Sequence, residues 1–247
     1  MPVYYNEFDP FAAQWLRNLI MEGHLPRGDV DTRSITEVQP DDLRGYTQCH
    51  FFAGIGGWPL ALRMAGWDDT RPIWTGSCPC QPFSTTGRRR GKADERHLLP
   101  VWFRLAQQCK PPVVFGEQVR AAIAFGWLDD VANDLEGEGY AFAAAVLPAC
   151  AAGAPHKRDR IFLVADRERE GLSSRVLKRP NTTTEQSSEK CRGRFRYQIG
   201  TAWNSEPQLA VLVHGLPSDV AASKAFGNAV VPQITSAFIL VYIGCVP

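Results

Sequence analysis

The nine residues Gly76-Ser77-Cys78-Pro79-Cys80-Gln81-Pro82-Phe83-Ser84 hold the chain's best prospect for covalent chemistry. A cysteine attacks as its thiolate, which is favoured where backbone N–H groups, a helix N-terminus or basic side chains surround the sulfur. Cys80 lies in a Pro-Cys-Gln turn after the apolar run Pro72-Ile73-Trp74-Thr75-Gly76, and Arg88, Arg89, Arg90 and Lys92 follow it. A buried structural thiol, or half of a metal clip with Cys78, are the other uses such a residue could have. A zinc site needs a second ligand pair, and no CxxC or close histidine pair occurs elsewhere, so no metal is expected. Further along, Glu117 follows the apolar run Val113-Val114-Phe115, and Arg158 and Arg160 alternate ahead of Ile161–Val164. A carboxylate and two guanidiniums at strand ends suit proton transfer and the holding of a carbonyl or phosphate. Each taken alone also suits a solvated sheet edge.

The elements that must position these groups read as an α/β alternation. Asp9 as N-cap and Pro10 at the first helical position open a helix in which Phe11, Trp15 and Leu19 recur at four-residue spacing until Gly23. A polar, charged connection runs to about Arg44. Cys49–Ala53 then reads as a buried strand that breaks at Gly54-Ile55-Gly56-Gly57 and restarts as a helix at Pro59 carrying Leu60, Leu62 and Met64. Beyond it the spacing predicts a helix over Leu98–Gln108, a strand over Pro112–Phe115 and a helix over Ala121–Leu135, with Leu128, Val131 and Leu135 on one face. Strands at Phe142–Leu147 and Ile161–Ala165, then a helix over Gln233–Tyr242, complete a mostly parallel α/β sheet.

At 247 residues and 45% hydrophobic content the chain suits one large domain with at most a small appendage. A net charge of +1 argues against a histone-like basic coat. Seven cysteines without framework spacing, and no leader-like segment, point to reduced thiols in a cytoplasmic protein. No run of about 18 apolar residues is present, so no membrane span is expected. After Ala165 the composition changes. Between Asp166 and Gly200 nine Lys/Arg stand against five acids, net +4, and Arg192, Arg194, Phe195, Arg196 and Tyr197 interleave cations with aromatics. Such a segment is either a linker or a small nucleic-acid-contacting insertion.

Several motifs together resemble the C5-cytosine-specific DNA methyltransferase family, in a compact phage- or bacterial-type form. Phe52-Ala53-Gly54-Ile55-Gly56-Gly57 is similar to the family's S-adenosylmethionine loop, with His50 where many members have an acid. Asn6-Glu7-Phe8-Asp9-Pro10 resembles the second cofactor motif, whose Glu accepts from ribose hydroxyls while the next side chain packs on adenine. Arg33-Ser34-Ile35-Thr36-Glu37-Val38 resembles the third, with Ser34 in place of Asp. These two precede the glycine loop, so the resemblance implies a shuffled chain order around an otherwise Rossmann-like sheet. Pro79-Cys80-Gln81, Asp94-Glu95-Arg96-His97-Leu98-Leu99, Gly116-Glu117-Gln118-Val119, His156-Lys157-Arg158-Asp159-Arg160 and Gly227-Asn228-Ala229-Val230 match later motifs, with His97, Gln118 and His156 as departures.

The resemblance implies methyl transfer from S-adenosylmethionine to C5 of a cytosine flipped out of double-stranded DNA, through a covalent adduct between Cys80 and C6. It gives Glu117 the ring nitrogens, Arg158 and Arg160 the carbonyl and phosphate side, and a DNA-contacting role to Gln81, Ser84, Arg88, Arg89, Arg90, Arg192, Arg194 and Arg196. Phe52 to Gly57, Glu7, Phe8, Ser34, Ile35, Pro79, Leu99, Asn228, Ala229 and Val230 are expected around the cofactor. Domains are expected at 1–165 and 206–247 (catalytic, cofactor-binding) and 166–205 (target recognition or flexible), in a monomer or weak oligomer, restriction-paired or solitary. A tRNA cytosine methyltransferase, a non-catalytic DNA-binding relative, or transfer of a group other than methyl are the alternatives.

Overall fold

A computed structural model describes residues 2–79, 98–154, 156–168 and 227–244. The expectations for Cys80, Gln81, Ser84, Arg88, Arg89, Arg90, Arg192, Arg194 and Arg196, and for most of the 166–205 insertion, lie outside the described residues.

Seven strands form one sheet: β1 (Val3–Asn6), β2 (Gly28–Asp31), β3 (Gln48–Phe51), β4 (Ile73–Gly76), β5 (Val113–Val119), β6 (Ala141–Pro148) and β7 (Asp159–Asp166). Their spatial order is β2-β1-β3-β4-β5-β7-β6. The first five run parallel, and β7 is antiparallel to both β5 and β6. The shuffled order inferred from the motifs is therefore how the chain is wired: β1 and β2 are made first, with β1 lying beside β3, the strand that ends in the glycine loop, and β2 beyond β1 at the sheet edge. This is the Rossmann-like α/β sheet expected.

Side chains alternate across each strand, so consecutive residues feed opposite faces. Tyr4, Cys49, Phe51, Trp74, Val114, Ile161, Leu163 and Ala165 share one core with residues of helices α3 (Leu99–Cys109) and α4 (Trp127–Gly137). On the other face Ile73, Phe115, Phe162 and Val164 pack with α2 (Gly57–Met64) and α5 (Pro232–Gly244), while Val3 and Tyr5 pack with Leu16 of α1 (Pro10–Met21). Both faces of the sheet are covered, as parallel strands require.

Several local expectations change. Asp9 does cap α1, accepting from the amides of Phe11 and Ala12 at 3.0 and 3.3 Å, but the buried face is Ala12, Ala13 and Leu16. Phe11 and Trp15 pair ring to ring on the outer side at 6.2 Å. Helix α2 begins at Gly57 rather than Pro59 and buries Trp58, Ala61 and Leu62, leaving Leu60 and Met64 exposed. The helix expected over Ala121–Leu135 is two elements, a 3-10 stretch (Arg120–Phe125) and α4, because Gly126 takes a left-handed φ of 70° between them. The polar connection before Arg44 contains the edge strand β2.

Candidate active site

The glycine loop leaves β3 at Phe52, whose φ of 53° is unusual for a residue with a side chain and marks a sharp exit from the sheet. Gly57, at the start of α2, comes so close to Val230 that a Cβ there would lie 2.6 Å from its Cγ2. That approach brings the Asn228–Val230 segment over the loop. Between them is a hollow lined by Phe52, Ala53, Gly54, Ile55, Gly57, Trp58, Ser77, Asn228, Ala229 and Val230. Eight of these ten residues are among those expected at the cofactor.

Glu7 joins them despite lying 47 positions from Gly54. Its Oε2 accepts the Gly54 amide at 2.7 Å and its Oε1 the Asp9 amide at 2.8 Å. The neighbouring backbone bond from Ala53 N–H to the Asn6 carbonyl, 3.0 Å, keeps the ends of β1 and β3 together. A carboxylate can accept about four hydrogen bonds, so holding amides and holding a pair of hydroxyls are compatible uses. Phe8 beside it is 70% exposed, an apolar ring presented to solvent. Ser34 is half-buried and its hydroxyl caps the 3-10 turn Ile35–Glu37, while Ile35 and Leu99 are buried in the core with Tyr4 and Trp102. Their side chains serve packing.

His50, central in β3, is fully buried, with Nδ1 2.8 Å from the Thr75 hydroxyl and its ring 5.3 Å from that of Tyr5. Burial pulls its pKa down to about 3, so it is neutral and contributes packing. A folded value below the ordinary 6.5 gives stability that is present above about pH 6.5 and is lost as pH falls from there toward 3. Lowering the pH from 6.5 to 5 is expected to cost about 2 kcal/mol through this group. Thermal unfolding of the parent protein should show this loss, and His50→Gln should lack that component; parallel curves for the two would remove it.

At the other side of the hollow, β5 carries Glu117 on the same face as Phe115. The carboxyl is 8% exposed, and its Oε1 lies 2.8 Å from Nε of Arg160 on the adjacent β7. Burial pushes Glu117 above the usual carboxylate range, against the opposing pull of Arg160 and Arg158. Arg158, with φ 38°, donates through Nη2 to the carbonyls of Gly227 at 2.9 Å and Ala229 at 2.7 Å. Its guanidinium thus ties the start of β7 to the segment that roofs the hollow, a use that sequence did not reveal. Gln118 donates to the Cys78 carbonyl at 3.3 Å and accepts from the Val119 amide at 2.9 Å, so it braces the backbone just ahead of Cys80. Cys78 is buried in the core and its thiol is pushed up by desolvation; Pro79 is half-buried. Two residues sequence reasoning passed over, Ser77 and Trp58, lie between hollow and acid, with the Trp58 indole N–H donating to the Ser77 hydroxyl at 2.9 Å. Ser77's nearness to Cys80 was the only signal available.

Across residues 68–206, more than half of its length, the sequence matches the family description "C-5 cytosine-specific DNA methylase". The chain belongs to that family. Among relatives, the Type II methyltransferase M.HhaI of Haemophilus parahaemolyticus is 30% identical over 170 residues, covering 53% of this chain and 52% of its own. The Type II methyltransferase M.MspI of Moraxella sp is 36% identical over 169 residues, 66% of this chain and 32% of its own. The chain thus spans about half the length of the first and a third of the second. The S. pombe Dnmt2 methyltransferase structure aligns with a TM-score of 0.44 at 16% identity, covering 67% of this chain and 42% of that one. The family takes its methyl group from S-adenosylmethionine. Among the described residues no group of three or more His, Cys, Asp or Glu could hold a metal ion, and no helix is long and apolar enough to cross a membrane.

Proposed function

We propose that this chain methylates C5 of cytosine in double-stranded DNA, with Cys80 as nucleophile, on a base turned out of the duplex. The observation that carries the reading is the placement of Glu117, buried and paired with Arg160, one strand away from β4, whose carboxyl end leads through Gly76-Ser77-Cys78-Pro79 into Cys80. A cytosine ring resists attack at C6 unless charge arriving at N3 is neutralised. Glu117, holding a proton more tightly than an ordinary carboxyl, can donate it toward N3, while Arg160 stabilises the carboxylate left behind. Cys80 adds to C6 and leaves when the C5 proton is removed. A ring stacked inside a duplex is beyond reach of groups this buried, hence the extruded base.

S-adenosylmethionine supplies the methyl group. The residues fit it: Glu7 beside the glycine loop offers acceptors for a ribose diol, Phe8 an apolar ring for adenine, and the hollow under Asn228 to Val230 a backbone-lined cradle. Residues 1–165 and 206–247 would form the catalytic unit, with 166–205, net positive, as the part that meets DNA. Mass spectrometry of nucleosides from DNA incubated with protein and cofactor tests the function: 5-methylcytosine is expected, and its absence, or a modified tRNA cytosine instead, overturns the assignment.

Glu7→Ala is expected to weaken S-adenosylmethionine binding about 10- to 150-fold, the loss of a charge-assisted hydrogen bond. Calorimetry on protein whose circular dichroism matches the parent measures it, and unchanged affinity would assign the ribose to another acid.

A further inference from the structure

Lys157, Arg158 and Arg160 stand together where the chain enters β7, and they take different partners. Lys157 reaches the Asp159 carboxylate at 3.3 Å and Arg160 reaches Glu117 at 2.8 Å, whereas Arg158 donates from Nη2 to two main-chain carbonyls, those of Gly227 at 2.9 Å and Ala229 at 2.7 Å. Those carbonyls are of a kind that needs a donor. Gly227 and Asn228 have helical backbone that ends at Ala229, and the last carbonyls of a helical turn meet no amide of a following turn. A guanidinium there satisfies them and brings the charge favoured at a helix C-terminus. The backbone on both sides of Arg158 is pinned: the Lys157 carbonyl accepts from the Ala149 amide at 2.7 Å, and Asp159 begins β7 opposite Pro148. Between these anchors Arg158 takes its φ of 38°, a left-handed value that a residue with a side chain keeps only where its surroundings impose it. The fold itself aims the arginine.

The segment it grips is the roof of the hollow. From Val230 onward that roof is anchored by packing, since Val230 is buried, lies against Gly57 and shares a core with Trp58 and Leu62 of α2 and Ile234 of α5. Gly227 and Asn228 are exposed, so packing holds them little, and Arg158 supplies a grip on that side. We propose that Arg158 is a positioning residue that clamps residues 227–229 over the hollow and so sets how tightly S-adenosylmethionine is held, rather than a group that holds the base or a phosphate. Because Arg160, two residues on, pairs with Glu117, the entry of β7 links the roof of the hollow to the buried acid. The place of the cofactor in this hollow rests on the proposed function. The clamp rests on the two bonds.

Hydrogen exchange in the free protein reads the clamp, and calorimetry with S-adenosylmethionine reads its consequence. Arg158→Met keeps an unbranched apolar stem and removes every donor. In it, amide exchange of peptides spanning residues 227–231 is expected to rise about 10-fold with exchange in β3 and β5 unchanged, and affinity for S-adenosylmethionine to fall about 10-fold, because the closed roof becomes a minority state. Arg158→Lys, which keeps the charge and donors on a shorter reach, should lose only about 3-fold in each. In steady state the loss should fall on KM for the cofactor more than on kcat, a split that an arginine holding the base or a phosphate would reverse. If Arg158→Met does not fold, Arg158→Lys decides. Roof exchange that does not move, or affinity that does not move while kcat falls, overturns the proposal. A parent protein that binds no S-adenosylmethionine, with roof exchange that still rises in Arg158→Met, would leave the clamp intact and sink the cofactor reading of the hollow instead.

Discussion

Cys80→Ala protein is expected to transfer no methyl group to DNA while binding S-adenosylmethionine within a few-fold of the parent. The thiol acts on the base, whereas the residues proposed for the cofactor lie on the glycine loop, Glu7 and the 228–230 segment. The nearby Cys78 is a poor stand-in: two positions away, it is buried in the core with its thiol pushed up by desolvation, and Cys49 is held up by burial in the same way. A duplex with 5-fluorocytosine at the target should trap a denaturant-stable adduct in the parent, because fluorine cannot leave as the proton does, and none in Cys80→Ala. Product mass and calorimetry read the two quantities. Turnover that survives the substitution, or that depends on Cys78, would falsify the nucleophile.

Glu117→Gln is expected to slow adduct formation by about 100- to 1000-fold, equivalent to roughly 3–4 kcal/mol of transition-state stabilisation. Glutamine keeps the volume and can still accept from Arg160, so the fold is preserved, but it has no acidic proton to give. The pH dependence carries the sign. Burial raises Glu117 above an ordinary carboxyl, so the acid form persists below its raised value and is lost as pH climbs through it. Parent activity should therefore fall on that alkaline limb, and Glu117→Gln should lose the limb along with the rate. Single-turnover trapping across a pH series measures both; an unchanged limb in the variant would assign it to another group.

Much of the sheet was readable because its central strands are apolar on both faces. Val113-Val114-Phe115 and Ile161-Phe162-Leu163-Val164 are buried throughout, and their composition alone announces strands. β2 was not readable by that rule, since Gly28-Asp29-Val30-Asp31 is an edge strand with polar, partly exposed side chains, and only the motif following it hinted at a strand there. The apolar pattern carried straight through Gly126, hiding the break between the 3-10 stretch and α4. Among site residues, Glu117 and the glycine loop follow from their place at strand ends. Glu7 needed the resemblance, because nothing local links it to an amide 47 residues on. Ile35 and Leu99 were assigned to the cofactor by the motifs they stand in, and their burial reflects packing that spacing cannot distinguish. The bonds Arg158 makes to Gly227 and Ala229, and the one Trp58 makes to Ser77, depend wholly on how distant segments meet.

The rearranged wiring of the sheet also sets the sequence of events on the ribosome. β1 to β4 all fall within residues 3–76, so the glycine loop and the carboxylate that steadies it emerge from the exit tunnel as one contiguous piece, with every parallel pairing among these strands already available. The roof of the hollow arrives later: Asn228 to Val230 and α5 reach α2 only after more than 150 further residues have been polymerised. A nascent chain therefore displays one side of the hollow first and gains its roof only after β5 and β7, which hold Glu117 and Arg160, have been made.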